Sequence, residues 1–361
     1  MEVKSFLNTY RGKRVFVTGH TGFKGSWFVK ILSMAGAEIV GYSLDPITNP
    51  NLYSVLEIES LCKKSIIADI RDRERLTKEI FDFQPDFIFH LAAQPIVLTS
   101  YEIPSETFDV NVVGTANVLE AVKKMNKPDT NTIIITTDKV YENLEKDYAY
   151  QEDDRLGGYD PYSASKAAAE IVVSSFRYSF FNPKNFEKHR NKVLSVRAGN
   201  VIGGGDWASD RLVPDIARAL NQNQPIIVRN PNSIRPWQHV IEPLMGYLYA
   251  GYLLSEESFV DSINFGPMPN DTLSVDEMVR LALSIWGSGE YNCPKLENQP
   301  HEAGLLKLNI ERALSLGWKP KWNAQKALMR SLQWYSLYYK SSSNKELIDL
   351  TINQIKEYLN D

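Results

Sequence analysis

An α/β fold built on a doubly wound parallel sheet, with a smaller C-terminal lobe, is predicted by three observations. Short apolar runs alternate with amphipathic stretches through the first 200 residues. The first run empties into three glycines spaced by three, and a Tyr-x-x-x-Lys pair follows the polar turn after the fifth. Such alternation requires right-handed crossovers and a sheet covered on both faces.

The first run is Arg14-Val-Phe-Val-Thr18, followed by Gly19-His-Thr-Gly22-Phe-Lys-Gly25 and an amphipathic helix over 26–34. Gly19 permits a tight turn, Gly22 lets backbone approach a pyrophosphate, and Gly25 allows close helix–strand packing. The helix N-terminus adds free amides and a positive dipole end. This is a Rossmann-like dinucleotide site. Thr21, Phe23 and Lys24 stand in the same loop.

The second strand, 38–43, runs to Asp45, where an acid can grip a ribose 2′-hydroxyl. That favours NAD over NADP, although Lys24 offers a charge that tolerates a phosphate. The third run, 65–69, ends at Asp69, suited to an adenine amino group, with Ile70 beside it. The fourth, 87–90, leads into Leu91 and Ala92, small enough at Ala92 for backbone to pass near a cofactor. The fifth, 132–136, ends at Thr136 and is apolar throughout, as a strand buried on both faces should be. A sixth spans 193–197, and helices are expected over 104–125 and 161–180.

Thr137-Asp138-Lys139 follows the fifth strand, and Tyr162-Ser-Ala-Ser-Lys166 opens the later helix. Residues four apart share a helix face, so the Lys166 ammonium can sit beside the Tyr162 hydroxyl. A cation there lowers the tyrosine pKa towards neutrality and fits it to take a proton from a sugar hydroxyl. Asp138 and Lys139 add a second acid/base pair that simple alcohol oxidation does not need.

Composition excludes other classes. With 43% hydrophobic and 23% charged residues, the chain has the make-up of an ordinary globule. A net charge of −4 gives no nucleic-acid surface. Cys62 and Cys293 are the only cysteines, which fits a reducing cytoplasm. Residues 1–13 lack an apolar signal core, and no run reaches membrane-spanning length. The five histidines are scattered without ligand spacing, so no metal site is expected.

After Arg197 the chain changes character. Ala198-Gly-Asn200-Val-Ile-Gly-Gly-Gly-Asp206-Trp207 cannot be regular structure throughout, and Arg211 follows it. Arg235-Pro-Trp-Gln-His239 makes a basic and aromatic cluster in an expected loop. Arginine forks suit a diphosphate, so Arg211 and Arg235 are diphosphate candidates, with Asn200 and His239 beside the substrate. Residues 1–200 are read as the NAD-binding domain, with a return near 236–265. Residues 201–235 and 266–361 are read as the substrate lobe, and the last twenty or so (341–361) as a helix without an assigned role.

The glycine triplet with Tyr162 and Lys166 resembles the extended short-chain dehydrogenase/reductase superfamily of nucleotide-sugar enzymes. Within it the chain resembles the CDP-glucose 4,6-dehydratases. The likeness rests on Gly19-His-Thr-Gly-Phe-Lys-Gly-Ser-Trp27, Thr136-Thr-Asp-Lys-Val-Tyr-Glu-Asn143, the 197–207 segment and Arg235-Pro-Trp-Gln-His-Val240. His301-Glu-Ala303 and Leu316-Gly-Trp318 extend it. Lys139 belongs to that likeness, since other sugar-nucleotide dehydratases typically carry Glu there.

The resemblance implies that Tyr162 deprotonates a 4-hydroxyl while hydride passes to NAD, with Thr137 bonded to the same oxygen. Asp138 would protonate the departing 6-hydroxyl. Lys139 would take the C5 proton or stabilise enolate charge, and hydride would return to C6. A homodimer or dimer of dimers through helices 104–125 and 161–180 is also implied. Leu98 and Asn309 depart from the pattern, which has arginine and aspartate there. The rival readings are a 4-epimerase, which needs no Asp138–Lys139 pair, a dehydratase of another nucleotide hexose, and a cofactor-binding sensor without turnover.

Overall fold

Strand residues of this chain divide cleanly between two cores. Val15 and Val17 enter one and Phe16 the other; Ile133 and Ile135 enter the first and Ile134 the second. Side chains alternate along a strand, so a strand apolar at every position must be covered on both faces. A computed structural model describes residues 6–125, 127–294, 305–341 and 343–361. His301-Glu-Ala303 lies outside the described residues.

Seven parallel strands form the central sheet: β1 Arg14–Thr18, β2 Glu38–Ser43, β3 Lys64–Ile67, β4 Phe87–His90, β5 Asn131–Ile135, β6 Lys192–Ala198 and β7 Ser262–Phe265. Their order is β7-β6-β5-β4-β1-β2-β3. The order reverses between β1 and β4, and ligands of open α/β sheets bind at that switch point, outside the strands' carboxyl ends. Helix α1 (Phe23–Met34) buries Trp27, Phe28 and Ile31 on one face. On the other face lie α2 (Arg73–Phe83), α3 (Gly114–Met125) and α4 (Pro161–Phe180), through Leu76, Ile80, Val118, Val122 and Val173. The expected helix over 104–125 is interrupted: Pro104–Phe108 is α-helical, and a π-helical turn at Asp109–Val113 precedes α3.

Beyond β6 the chain forms α5 (Leu212–Asn221) and then returns to the sheet. The return is made by α6 (Ile241–Ser255), buried on nearly every side, and by β7, which pairs with β6. Helix α7 (Val275–Trp286) opens on a Ser274/Glu277 capping box. The C-terminal pair, α8 (Ala324–Lys340) and α9 (Asn344–Asn360), shares the core of α1 and α6. Trp334 of α8 packs where a Cβ on Gly204 would sit, and the Gly204 carbonyl accepts the indole N–H of Trp27 at 3.0 Å. Glu242 of α6 is buried and accepts from the Lys321 and Trp322 amides and the Tyr358 hydroxyl, tying α9 to the sheet.

Candidate active site

A cleft of about 980 Å³ opens at the carboxyl ends of the strands, and nearly every residue singled out in the sequence lines it. One arm is walled by Gly19, Thr21, Gly22, Phe23, Lys24, Gly25, Asp45, Asp69, Ile70, Leu91 and Ala92. Gly19 has φ +75° and lies so close to β4 that a Cβ would stand 2.8 Å from the Ala92 nitrogen. A Cβ on Gly25 would reach 2.0 Å from the Gly19 carbonyl oxygen, whereas Gly22 meets nothing nearer than 3.4 Å. The arm is therefore a backbone cradle whose middle glycine is open to the cleft, which fits a dinucleotide pyrophosphate. Thr21 pins the loop by donating to the Leu44 carbonyl at 2.8 Å. Asp69 is engaged by Arg71 through both carboxylate oxygens, which lowers its pKa.

Where the two arms meet, Thr136, Thr137, Lys139, Tyr162 and Lys166 face the cleft. Asp160 caps α4 by accepting from the Ser163 amide, and Pro161 starts the helix, so Tyr162 stands on its first turn. Tyr162 stands close enough to Thr137 for that side chain to lower the tyrosine pKa, and the Thr137 hydroxyl donates to Asp138 Oδ1 at 2.9 Å. Lys139 Nζ lies 3.4 Å from both Asp138 Oδ1 and Asn200 Oδ1.

Electrostatics here differ from the sequence expectation. Burial pushes the Tyr162 hydroxyl up to about 12, outweighing the Thr137 bond and the Arg211 charge. Lys166 does not relieve it: its ammonium donates to the Ile135 carbonyl at 3.2 Å. Burial also brings Lys166 down to about 8, opposed by the charge of Glu170.

The second arm holds Asn200, Arg211 and Arg235. Arg211 precedes α5 and reaches the Pro95 carbonyl at 3.4 Å; Arg235 sits on a short strand paired with Leu273. Leu98 also lines the cleft. Asn309 is elsewhere, accepting from the Glu311 amide ahead of a short helix.

The family model described as GDP-mannose 4,6 dehydratase matches residues 16–264. A CDP-glucose 4,6-dehydratase of Salmonella typhimurium is 46% identical over 98% of both chains. This chain belongs to that dehydratase family, within the extended short-chain dehydrogenase/reductase superfamily. Among solved structures, a dTDP-glucose 4,6-dehydratase of Bacillus anthracis in complex with NAD is similar with a TM-score of 0.75. It is 23% identical, and the match covers 93% of this chain and all of that one. A Thermus thermophilus UDP-glucose 4-epimerase in complex with NAD matches with the same score and 22% identity over 91% and 99%. These two carry the fold alone.

Within this dehydratase fold, two sequence expectations need correction. His239 does not reach the cleft. It is fully buried between Trp27 and Trp322, with ring centroids 5.7 and 5.0 Å away, and burial lowers its pKa to about 3. Residues 238–239 form a strand fragment paired with Val201–Ile202 beneath the cleft floor, so the histidine packs as an aromatic. Asp138 is buried behind the wall, and its Oδ2 has no hydrogen-bond partner among the described residues. Thr137 and Lys139 face the cleft on either side of it, where Thr137 caps the short 3-10 turn Asp138–Val140.

Lys24 is the group whose place sequence reasoning missed. It was read as a neighbour of Asp45, able to tolerate a phosphate. The charges that bear on it are those of Arg211, Asp138, Lys166 and Lys139, all at the Tyr162 end. Its Nζ stands 3.5 Å from the Tyr247 hydroxyl, and burial, with Arg211 next, lowers its pKa to about 7. No nearby sequence signal reports this, because Tyr247 comes from α6.

Proposed function

We propose that the protein is an NAD-dependent hydro-lyase that converts CDP-glucose to CDP-4-keto-6-deoxyglucose. The observation that carries this reading is one cleft holding Tyr162 beside Thr137 and Lys139, with Asp138 directly behind and paired with Lys139. The 46% identity to a CDP-glucose 4,6-dehydratase over the whole length supports the nucleotide and the hexose.

The glycine cradle and Asp45 would hold the cofactor, with Asp69, Ile70, Leu91 and Ala92 along it. NAD held there would supply the acceptor for hydride from C4 of the hexose and the donor of that hydride to C6. Tyr162 takes the 4-hydroxyl proton, and Thr137 holds the same oxygen. The new carbonyl acidifies the C5 proton, so elimination of the 6-hydroxyl follows. Asp138 and Lys139 together hold an acceptor for the C5 proton and a donor for the departing hydroxyl, with Lys139 making the contact in the cleft. The ion pair between them supports an electrostatic and donor role for Lys139 over that of a neutral base. Asn200, Arg211 and Arg235 would position the nucleotide diphosphate.

Both cysteines are free, which supports a reducing, cytoplasmic setting. Among the described residues no helix is long and apolar enough to cross a membrane. We also assign residues 1–200 and 236–265 to the cofactor domain, and 201–235 and 266–361 to the substrate lobe.

The deciding experiment is mass spectrometry of CDP-glucose incubated with the protein in deuterated water. Loss of one water with a single solvent deuteron at C5 is the expected result. An unchanged mass overturns it.

A further inference from the structure

Beyond Tyr162 and the arginines, the second arm of the cleft runs on to 226–230 and ends at an ion pair that the dehydration chemistry does not use. Asp210 Oδ1 accepts from Arg229 Nη2. Both side chains line the cleft and remain partly open, at 35% and 37% exposure. The pair joins two separate segments, the 209–211 turn and the strand fragment Ile226–Ile227 with its continuation. Asp210 has φ +62°, the left-handed region, so this turn is held in a sparsely populated conformation. The other carboxylates of the arm are differently placed: Asp215 is paired with Arg218 of its own helix, and Asp206, half-buried, accepts from the Ala208 amide.

A hexose at Tyr162 with its diphosphate at Arg211 and Arg235 sends the nucleoside towards this end of the arm. Apolar surface waits there in Ile227, 55% exposed, between the buried Ile226 and Val228. A base laid on that surface presents its edge to polar groups at the rim. Cytosine and uracil differ on that edge. Cytosine offers an amino donor at N4 and an acceptor at N3; uracil offers an acceptor at O4 and a donor at N3. An aspartate accepts well from cytosine N4. Asp210 keeps acceptor capacity in its second oxygen, and Arg229 has further N–H donors.

We infer that the Asp210–Arg229 pair reads the nucleotide base, selecting a cytidine over a uridine diphosphate by offering an acceptor beside a donor. In the register that sets the exocyclic group on Asp210 and N3 on Arg229, cytosine pairs at both positions and uracil at neither. A uracil would set its O4 against the carboxylate and its N3–H against the guanidinium. Sites built to pair polar groups reject the mismatched analogue because polar groups that the base covers are left unpaired. The inference rests on the reading of the cleft as a nucleotide-sugar site.

The test is calorimetric titration of the NAD-saturated full-length protein with CDP and with UDP, using wild type, Asp210→Asn and Arg229→Gln. Neither nucleotide requires turnover, so the outcome is independent of the dehydration assay. Wild type is expected to prefer CDP by about ten-fold or more, the worth of one good polar discrimination. Asp210→Asn should lose most of that preference, because an amide can turn either group to the base. Arg229→Gln should weaken CDP more than UDP. Equal wild-type affinities, binding of neither nucleotide, or an unchanged preference in both variants would each overturn the assignment. Failure of the dehydratase reading would show separately, as intact CDP-glucose after incubation.

Discussion

Arg197 Nε donates to Glu170 Oε1 at 2.9 Å, with both side chains about 95% out of solvent, and Glu170 lies one helical turn beyond Lys166. Thr136 and Ser195 also donate to Glu170, while Arg197 reaches the Tyr141 hydroxyl at 2.9 Å. This is the floor on which Tyr162 and Lys166 rest. Removing one partner leaves a buried charge alone. Arg197→Met is expected to cost roughly 3–5 kcal/mol, and Glu170→Leu with Arg197→Met to recover part of it. Urea unfolding of the three proteins measures both.

Gly25→Ala tests the cradle. Its new Cβ would meet the Gly19 carbonyl at 2.0 Å, so strand and helix must part. NAD affinity, followed by titration, should fall by about ten-fold or more, against a stability loss of roughly 1–3 kcal/mol. Unaltered NAD affinity would remove the glycine loop from the cofactor site.

Asp138→Asn should still bind cofactor and substrate and still form reduced nicotinamide, seen by its absorbance. Elimination should slow by roughly 10²–10⁴, the range for loss of one acid/base group. Normal dehydration would take Asp138 out of the proton path.

Glu242 gives a pH signature outside the cleft. Burial raises its pKa from 4.5 to about 7 despite the bonds from Tyr358 and two amides. The folded chain therefore binds a proton more tightly than the unfolded one. The stability this contributes is complete below pH 4.5 and is lost as pH rises towards 7. Glu242→Gln removes that loss, so wild type should fall behind the variant by up to about 3 kcal/mol between pH 4.5 and 8. Parallel melts at the two pH values check it.

Helix α4 and the 104–125 segment leave Phe108, Val113, Ile171 and Tyr178 exposed, with Ile171 at 60%. We expect these faces to bury each other in a homodimer, and Ile171→Glu to raise the monomer fraction on gel filtration. A wild-type monomer at all concentrations would refute the interface.

Much of the fold could be read from local pattern. Strands β1, β2 and β4 fall where their apolar runs lie, because a strand covered on both faces has no polar positions to blur its ends. The first turn of α1 extends three residues earlier than its amphipathic pattern, since Phe23 and Lys24 serve the cleft as well as the helix. In the site, residues whose direction follows from their own element were legible: Gly19, Tyr162, Thr137. Lys24 and His239 were not, because Tyr247, Trp27 and Trp322 orient them from distant parts of the chain. Asp138 lay between. Its place after the fifth strand could be read, but its burial follows from the 3-10 turn Asp138–Val140, which apolar pattern does not report.

The contact between Gly204 and Trp334 carries a consequence for synthesis. Trp27, just past the cofactor loop, is fastened to the Gly204 carbonyl, and Gly204 in turn is backed by the indole of α8. A nascent chain emerging amino end first has its glycine loop early, yet the α8 indole that backs Gly204 is translated far later. The cofactor pocket is thus a late product of translation. An arrested or prematurely released chain would carry the fingerprint of a dinucleotide enzyme without a finished place to hold one.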